Sequence, residues 1–520
     1  MIKQGDILTL RITDMSDKGQ GIGHADGLAV FAAGTVPGDV AAVEITRVKK
    51  RYVIGRAVRI EEAGKDRIEP ACPYAAICGG CDYQALAPSA QRALKERQLR
   101  DKFIRLGGIA DPNVREIIHD SASHKGTRNK AVYHISTGGN RKRKGGIIEP
   151  LGPLCVGFMA RGSHRVFDCT SCMLQLPSAQ AAAEALRCFM EEDHVTAYDP
   201  RWNQGLMETM TVRTSETTGE CMVTFRIHGK GIPGAEKLVG MLAEAIDAAG
   251  YALVSVYLDD GRTMRCLAGE RVMHDRLGDL VFEIGPGSFY QVGSLTKRMY
   301  EQVKVYAGLS GEETLLDLYC GTGTIGLFCA ADAGFVLGIE ADHQAVLDAN
   351  RNAVINGITA ARYLQGRAEA VLPALLAAGG ERAGIEDVAA KGTGAAGGAF
   401  DAQLTSAAAS ADVVILDPPR AGCRPALLDA VAAISPQRIV YMSCDPATLA
   451  RDIRLLGEKG YILKEATPFE NFPWTRHVET VCLLSNTQKK KESYVTLDVE
   501  MKDYHRIVGD RKTSDKPAGK

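Results

Sequence analysis

Hydrophobic and polar positions change their rhythm along the chain. Over the first sixty residues, short apolar runs alternate with polar positions and are broken by glycines, at Ile7–Ile12, Leu28–Phe31, Asp39–Ile45 and Tyr52–Val58. Period-two alternation predicts half-buried strands, and short, evenly spaced strands in so small a unit predict an OB-like β-barrel over residues 1–59. From 60 to 285 the pattern is mixed: helices are predicted over Ser89–Leu106 and, amphipathic, over Gly234–Ala249, with strands between, as in a mixed α+β central domain. From 286 to 486 the rhythm becomes strand, turn, helix. Thr314–Tyr319, Phe335–Glu340, Asp412–Asp417 and Arg438–Ser443 are predicted strands of a Rossmann-like α/β sheet. Two segments leave this rhythm. Residues 377–411 are dominated by Ala and Gly, which offer little area to bury, and are predicted to form a flexible surface insertion. Residues 487–520, with Lys489-Lys490-Lys491, form a charged tail.

Length changes the picture first: 520 residues exceed one core, so several domains are expected. No apolar run is long enough to cross a bilayer and the first residues carry no signal-peptide pattern, so the expectation is a cytoplasmic protein without a membrane partner. The net charge of −1 does not advertise a polyanion, but its distribution does. Residues 124–145 contain Lys125, Arg128, Lys130, Arg141, Lys142, Arg143 and Lys144 with no acid among them, and Arg47, Lys49, Lys50 and Arg51 form a second patch. Each alone reads as a solvated face; beside a nucleic-acid chemistry each reads as a phosphate contact.

The stretch Leu316-Asp317-Leu318-Tyr319-Cys320-Gly321-Thr322-Gly323-Thr324 is a strand, a tight turn and a helix start. Gly321 and Gly323 let the backbone approach a nucleotide-like ligand, and Thr324, opening the helix behind them, is a further candidate cofactor-binding residue. About 20 residues on, Glu340 ends the next strand, where a carboxylate accepts hydrogen bonds from ribose hydroxyls. A ligand-free βα turn and a dinucleotide site compete with this reading. The Asp-x-Tyr-Cys-Gly lead-in favours S-adenosylmethionine.

Two later strand ends carry chemistry. Asp417-Pro418-Pro419-Arg420 has Arg420 where amino-methyltransferases place an aromatic residue to stack on the base, which argues against methylation of an exocyclic amine. Ser443-Cys444-Asp445-Pro446 sets a cysteine just past a strand end, well placed for a nucleophile. Glu479 opens the final predicted strand, Thr480–Leu484, and is a candidate general base; standing alone it would read as a solvated edge carboxylate. Cys72, Cys78 and Cys81 have the spacing of metal ligands, with Cys169 or Cys172 as the distant fourth and Cys155 a weaker candidate. Cys188, Cys221, Cys266, Cys329 and Cys482, among apolar neighbours, are expected to be buried.

Gly19-Gln20-Gly21-Ile22-Gly23 followed by Val36-Pro37-Gly38-Asp39 resembles the TRAM domain, a small RNA-binding barrel. With Leu-Asp-Leu-Tyr-Cys-Gly-Thr-Gly, Asp-Pro-Pro-Arg-Ala-Gly, Ser-Cys-Asp-Pro and His-Val-Glu in this order, the chain to about residue 486 resembles the bacterial uracil-5-methyltransferases of ribosomal and transfer RNA. It is most similar to their 23S rRNA branch, which has a TRAM domain and an iron–sulfur cluster. The resemblance implies a class I S-adenosylmethionine-dependent fold, with Gln291, Tyr319, Glu340 and Asp417 at the cofactor or reaction centre, Cys444 as nucleophile and Glu479 as proton acceptor. It also implies a [4Fe-4S] cluster on Cys72, Cys78, Cys81 and Cys172; structural zinc on two Cys-x-x-Cys pairs is the alternative. Two positions depart from the family pattern: Gly293 replaces an Asn, and Arg367 occupies a polar loop position.

The implied activity is methylation of carbon 5 of a uridine in 23S rRNA, with the same chemistry on tRNA as the alternative. A non-enzymatic RNA-binding protein with a vestigial methyltransferase fold, or a redox sensor built on the cluster, are readings from other classes. RNA is the expected partner, with neither DNA nor an obligate protein partner.

Overall fold

The computed structural model describes residues 2–120, 124–142, 148–291, 293–380 and 402–488. Strands Ile7–Arg11, Asp14–Met15, Gly21–Ala25, Leu28–Ala33, Val40–Val48 and Tyr52–Glu62 form the first sheet. Ile7–Arg11 pairs with Val40–Val48 at one edge, whereas Asp14–Met15, a few residues on, pairs with Gly21–Ala25 at the other. The Thr13 amide donates to Ile22 O at 2.8 Å at the bend between them. One bent segment thus serves both edges of the sheet, as curling it into a barrel requires. Inside are Leu10, Ile12, Val30, Val43, Ile45 and Val53, the inward half of the alternating pattern. Asp39, fully buried, accepts from the amides of Val36 (2.7 Å) and Gly64 (2.9 Å) and pairs with Arg67 at 2.9 Å.

The central sheet has seven strands, in spatial order Val166–Asp168, Cys155–Met159, Lys130–Ser136, Met207–Thr214, Glu220–Ile227, Ala252–Asp259 and Met264–Gly269. Only Glu220–Ile227 and Ala252–Asp259 pair in parallel, because helix Ala235–Ala248 carries the chain back between them. This helix buries Leu238, Leu242 and Ile246, at four-residue spacing, in one core with Leu186, Phe189, Met210 and Phe225.

The third sheet positions the site. Its strands are, by sequence, Thr314–Leu318, Phe335–Glu340, Ala361–Gln365, Val413–Leu416, Arg438–Ser443, Tyr461–Phe469 and Glu479–Asn486, and their spatial order is 3-2-1-4-5-7-6 by that count. The first five are parallel, and Glu479–Asn486 runs antiparallel to Arg438–Ser443. The order reverses beside Thr314–Leu318, so the ligand crevice of such a sheet lies there, outside the carboxyl ends. The near-continuous burial of Val413–Leu416 and Arg438–Ser443 reflects helices on both faces. Helix Pro88–Arg105 sends Leu99 and Phe103 into the core on one face of this sheet, and hairpin Met273–Ile284 packs into the core on the other.

Two expectations are corrected. Much of 377–411 lies outside the described residues, but its ends are helical, in Ala368–Gly380 and Ala402–Ala409, and Ala407, Ala408 and Ala411 are buried against the sheet. Alanine exposes little area of its own, yet its small side chain lets a helix lie close on a neighbour. Cys266 is exposed and Cys188 only half-buried, since Cys266 lies on the edge strand Met264–Gly269 with one side open; Cys221, Cys329 and Cys482 are buried. Residues 489–520 of the tail, and Arg143 and Lys144 of the basic run, lie outside the described residues.

Asp39→Ala would leave two buried amides and Arg67 without their acceptor. A loss of about 3 kcal/mol is expected, as for breaking a buried ion pair, measured by urea unfolding monitored by circular dichroism.

Candidate active site

Four of the candidate residues arise directly from sheet geometry. Tyr319, Glu340, Asp417 and Cys444 each end, or immediately succeed, a parallel strand, so all four stand on the carboxyl edge. Glu479 reaches the same edge from the opposite direction, as the first residue of an antiparallel strand. Ser443 is paired with Thr480, so one step further Cys444 lies across from Glu479.

Cys444 is held in place by the helix that begins two residues later. The Asp445 carboxylate accepts from the amides of Ala447 (2.9 Å) and Thr448 (3.0 Å), capping helix Pro446–Gly457, and Pro446 takes the first turn where no amide is needed. The thiol therefore lies just before a helix N-terminus, whose dipole favours a thiolate. Burial nevertheless pushes the Cys444 thiol up to about 11, and the charge of Glu479 adds to this. Arg420 opposes both by charge and by a hydrogen bond to the sulfur.

Glu479 is buried, not a solvated edge carboxylate. Burial raises it to about 7, with Arg420 again opposing. Asp417 is held well above the usual carboxylate range by desolvation, then by the charges of Glu479 and Asp317. The negative charge of Glu479 thus works against ionisation of Asp417. A cavity of about 170 Å³ opens beside Cys444, bordered by Arg420, Asp445, His477, Lys95 and Asp17. Burial and the charge of Arg420 lower His477 to about 4, so it lines this wall as neutral imidazole at physiological pH.

On the other flank, the Gly321 amide donates to Glu340 Oε2 at 3.1 Å and the Asp342 amide to Oε1 at 2.9 Å. This fixes the carboxylate beside the turn while leaving lone pairs for ribose hydroxyls. Gly323 has φ +77°, and a Cβ there would stand 2.8 Å from the Tyr363 ring, so only glycine fits. Tyr319 is itself left-handed, at φ +64°, and its hydroxyl donates to Glu369 at 3.0 Å. The Thr324 hydroxyl lies 3.1 Å from that of buried Tyr300, which itself feels the charges of Asp417 and Glu479. Gln291 is half-buried and comes directly after buried Tyr290 on the same flank. Gly293, which departs from the family pattern, has φ +127°, and a Cβ there would lie 2.1 Å from Asn471 Oδ1; buried Asn471 fills that space.

The segment before Glu479 is anchored by residues that sequence reasoning missed. Lys95, fully buried, pairs with buried Glu470 at 3.0 Å. The Trp474 carbonyl accepts from the amides of both Asp82 and Tyr83 at 2.9 Å, and Arg476 pairs with Asp82 at 3.5 Å. Lys95 was legible in principle: Gln91, Lys95, Leu99 and Phe103, four residues apart, put a charge on the apolar stripe of helix Pro88–Arg105.

The cysteines of the central region gather at one place. Cys172 lies close enough to Cys72, Cys78 and Cys81 for their charges to interact, and Cys169 and Cys78 pack in one small apolar cluster with it. Burial pushes Cys81 up to about 11 and Cys169 to about 12. Thiols so desolvated become thiolates when a metal supplies the compensating charge. The donor set fits a thiolate-held group in its chemistry, although among the described residues no three His, Cys, Asp or Glu side chains form a group that could hold a metal ion. Cys155 is half-buried.

Known proteins share both the sequence and the fold. Residues 272–487 match the tRNA (uracil-5-)-methyltransferase family model, and residues 3–58 match the TRAM domain. An uncharacterized RNA methyltransferase of Halalkalibacterium halodurans is 34% identical over 93% of this chain and 98% of its own length. The chain belongs to the RNA uracil-5-methyltransferase family. A second relative, an uncharacterized RNA methyltransferase of Caldanaerobacter subterraneus subsp. tengcongensis, is 33% identical over 93% of this chain and 99% of its own. The crystal structure of the Pyrococcus abyssi tRNA (uracil-54, C5)-methyltransferase with S-adenosyl-L-homocysteine has the same fold. It superposes with a TM-score of 0.64 at 24% identity, over 92% of this chain and all of that one. In this RNA methyltransferase, no helix among the described residues is long and apolar enough to cross a membrane.

The charges around Cys444 make a prediction about its reactivity. Glu479→Gln removes a negative neighbour and should raise the rate of Cys444 alkylation by iodoacetamide at pH 8 several-fold, whereas Arg420→Met should lower it. Mass spectrometry of the Cys444 peptide reads both; changes of the same sign in the two variants would contradict the arrangement.

Proposed function

We propose that this protein methylates carbon 5 of a uridine in RNA through a covalent adduct on Cys444, with S-adenosylmethionine as methyl donor. The observation that carries this is the placement of Cys444 across from Glu479 on the carboxyl edge of the sheet, beside the glycine turn. Carbon 5 of uracil is a poor nucleophile. The Cys444 thiolate adds to carbon 6, forming a carbon–sulfur bond and making carbon 5 enolate-like. Carbon 5 then takes the methyl group that S-adenosylmethionine supplies when bound. Ionised Glu479 removes the carbon-5 proton, the electron pair re-forms the 5,6 double bond, and Cys444 leaves as thiolate. Arg420 supports both ionised groups by its charge. A base in a helix cannot reach such a site, so the uridine enters unstacked. Gln291, Tyr319, Gly321, Gly323, Thr324, Glu340 and Asp417 are assigned to the cofactor flank. Work in the cytoplasm, where RNA and methyl donor are both present, accords with this reading.

The RNA is 23S rRNA in this reading, supported by the TRAM barrel and the gathered cysteines that the ribosomal branch shares. Transfer RNA is the second reading, favoured by the match in fold to an enzyme acting on tRNA uridine 54. Mapping 5-methyluridine in both RNAs from cells with and without the gene separates them.

The chemistry itself is tested by trapping. Glu479→Gln should add and methylate but not eliminate, so a covalent RNA–protein band survives denaturing electrophoresis. Cys444→Ala should give neither band nor product, and should abolish the band in the double variant. A band that persisted there would assign the nucleophile elsewhere. Activity of the native protein should rise with pH from 6 to 9. Glu479, at about 7, gains its base form as pH rises, and Cys444, near 11, gains thiolate in the same direction.

Cys72, Cys78, Cys81 and Cys172 are the residues proposed to hold a [4Fe-4S] cluster, which would brace the fold, since methyl transfer needs no electron. Anaerobically purified protein should contain about four irons. Cys172→Ala should lose them and Cys169→Ala keep them; one equivalent of zinc without iron would overturn the assignment.

A further inference from the structure

Between the central sheet and the cofactor flank lies a buried polar network that the proposed methyl transfer does not use. Arg213, on strand Met207–Thr214, is 5% exposed, and its Nη2 donates to the Ser288 carbonyl at 2.8 Å. The Ser288 hydroxyl donates to Asp348 Oδ2 at 2.5 Å, from the helix after Glu340, and accepts from the Gly285 amide at 3.1 Å. Two residues on, the hydroxyl of buried Tyr290 lies within side-chain hydrogen-bonding reach of Asp275 and feels its charge. Asp275, on hairpin strand Met273–Leu277, is fixed in turn by the hydroxyls of Ser215 (2.7 Å) and Thr217 (2.6 Å), just past the end of the Arg213 strand.

These clamps act on alternate residues of one extended segment. Ser288 and Tyr290 are turned inward, and Phe289 between them is 65% exposed. The Phe289 carbonyl accepts from the Thr322 hydroxyl at 3.4 Å, so the same segment is tied to the glycine turn. Gln291 is the next residue.

Burial lowers Arg213 to about 10, so it remains charged at neutral pH. Among the described residues no carboxylate contacts it directly; Asp275 acts on it only through its field. Burying a cation costs several kcal/mol unless paired and hydrogen-bonded, and an apolar side chain of similar length would avoid that cost. An apolar side chain, however, cannot hold a carbonyl in one place.

We propose that Arg213 and Asp275 are positioning residues that set Ser288–Gln291 against the glycine turn, so that the central sheet controls methyl-donor affinity. This rests on the reading of Gln291 as a donor contact. Removing the clamps frees the segment to sample other conformations, and binding must then order it again.

The test measures S-adenosyl-L-homocysteine affinity by titration calorimetry on the full-length protein. Arg213→Met should weaken binding tenfold or more, Arg213→Lys should recover most of that loss, and Tyr290→Phe, which removes one hydroxyl, should weaken binding about threefold. The methyl-donor KM should rise in step while kcat at saturating donor stays within about twofold, and Cys444 alkylation should be unchanged. A general loss of packing would lower kcat and disturb alkylation as well, which would refute a positioning role. If Arg213→Met does not fold, Tyr290→Phe decides: unchanged affinity overturns the proposal. Gln291→Ala is the control. Unchanged affinity there refutes the donor-contact reading; weakened affinity there with unaffected Arg213 and Tyr290 variants refutes the positioning inference alone.

Discussion

The proposed catalytic geometry depends on one strand pairing, that of Arg438–Ser443 with the antiparallel Glu479–Asn486. A parallel strand ends at the carboxyl edge of the sheet and an antiparallel strand begins there. Joining the two brings residues far apart in sequence, Cys444 and Glu479, to the same edge at adjacent levels. Neither side chain needs an unusual backbone to arrive. The strands carry the precision, and residues on regular elements are held more tightly than residues on loops.

This placement creates the electrostatic tension on which the proposed chemistry relies. Burial raises both the thiol and the carboxyl, and the charge of Glu479 raises the thiol further. Arg420 and the capped N-terminus of helix Pro446–Gly457 act against that tension. A carboxyl group near 7 is a stronger base than a free glutamate, as removal of a proton from carbon requires. The buried surroundings that make the thiolate costly therefore also make Glu479 more basic, as the proposed chemistry needs.

The sheet does not act alone. The segment before Glu479 is held by Lys95 and Glu470 on one side and by the Asp82 and Tyr83 amides on the other, next to the gathered cysteines. On the opposite flank, Arg213 and Asp275 reach the segment leading to Gln291. Helix Pro88–Arg105 and the central sheet thus buttress the two walls of one crevice. The barrel joins through Asp17, which borders the cavity beside Cys444 and pairs with Lys102.

Local chemistry was legible in the residues themselves. Glycines at 321 and 323 and the β-rich runs of the barrel and third sheet are short-range signals, because a turn or a pleat is decided within a few residues. The identities of Cys444 and Glu479 as candidates came from those signals together with family resemblance. Tertiary structure alone decided that Glu479 is buried, that Asn471 fills the space above Gly293, and that Arg213 lies in the interior. It also decided that the alanine-rich ends of 377–411 pack as helices and that Cys266 faces outward. Burial and charge pairing depend on which distant segments meet, and strand order across a sheet sets that; the pattern along any one strand contains its period but not its neighbour.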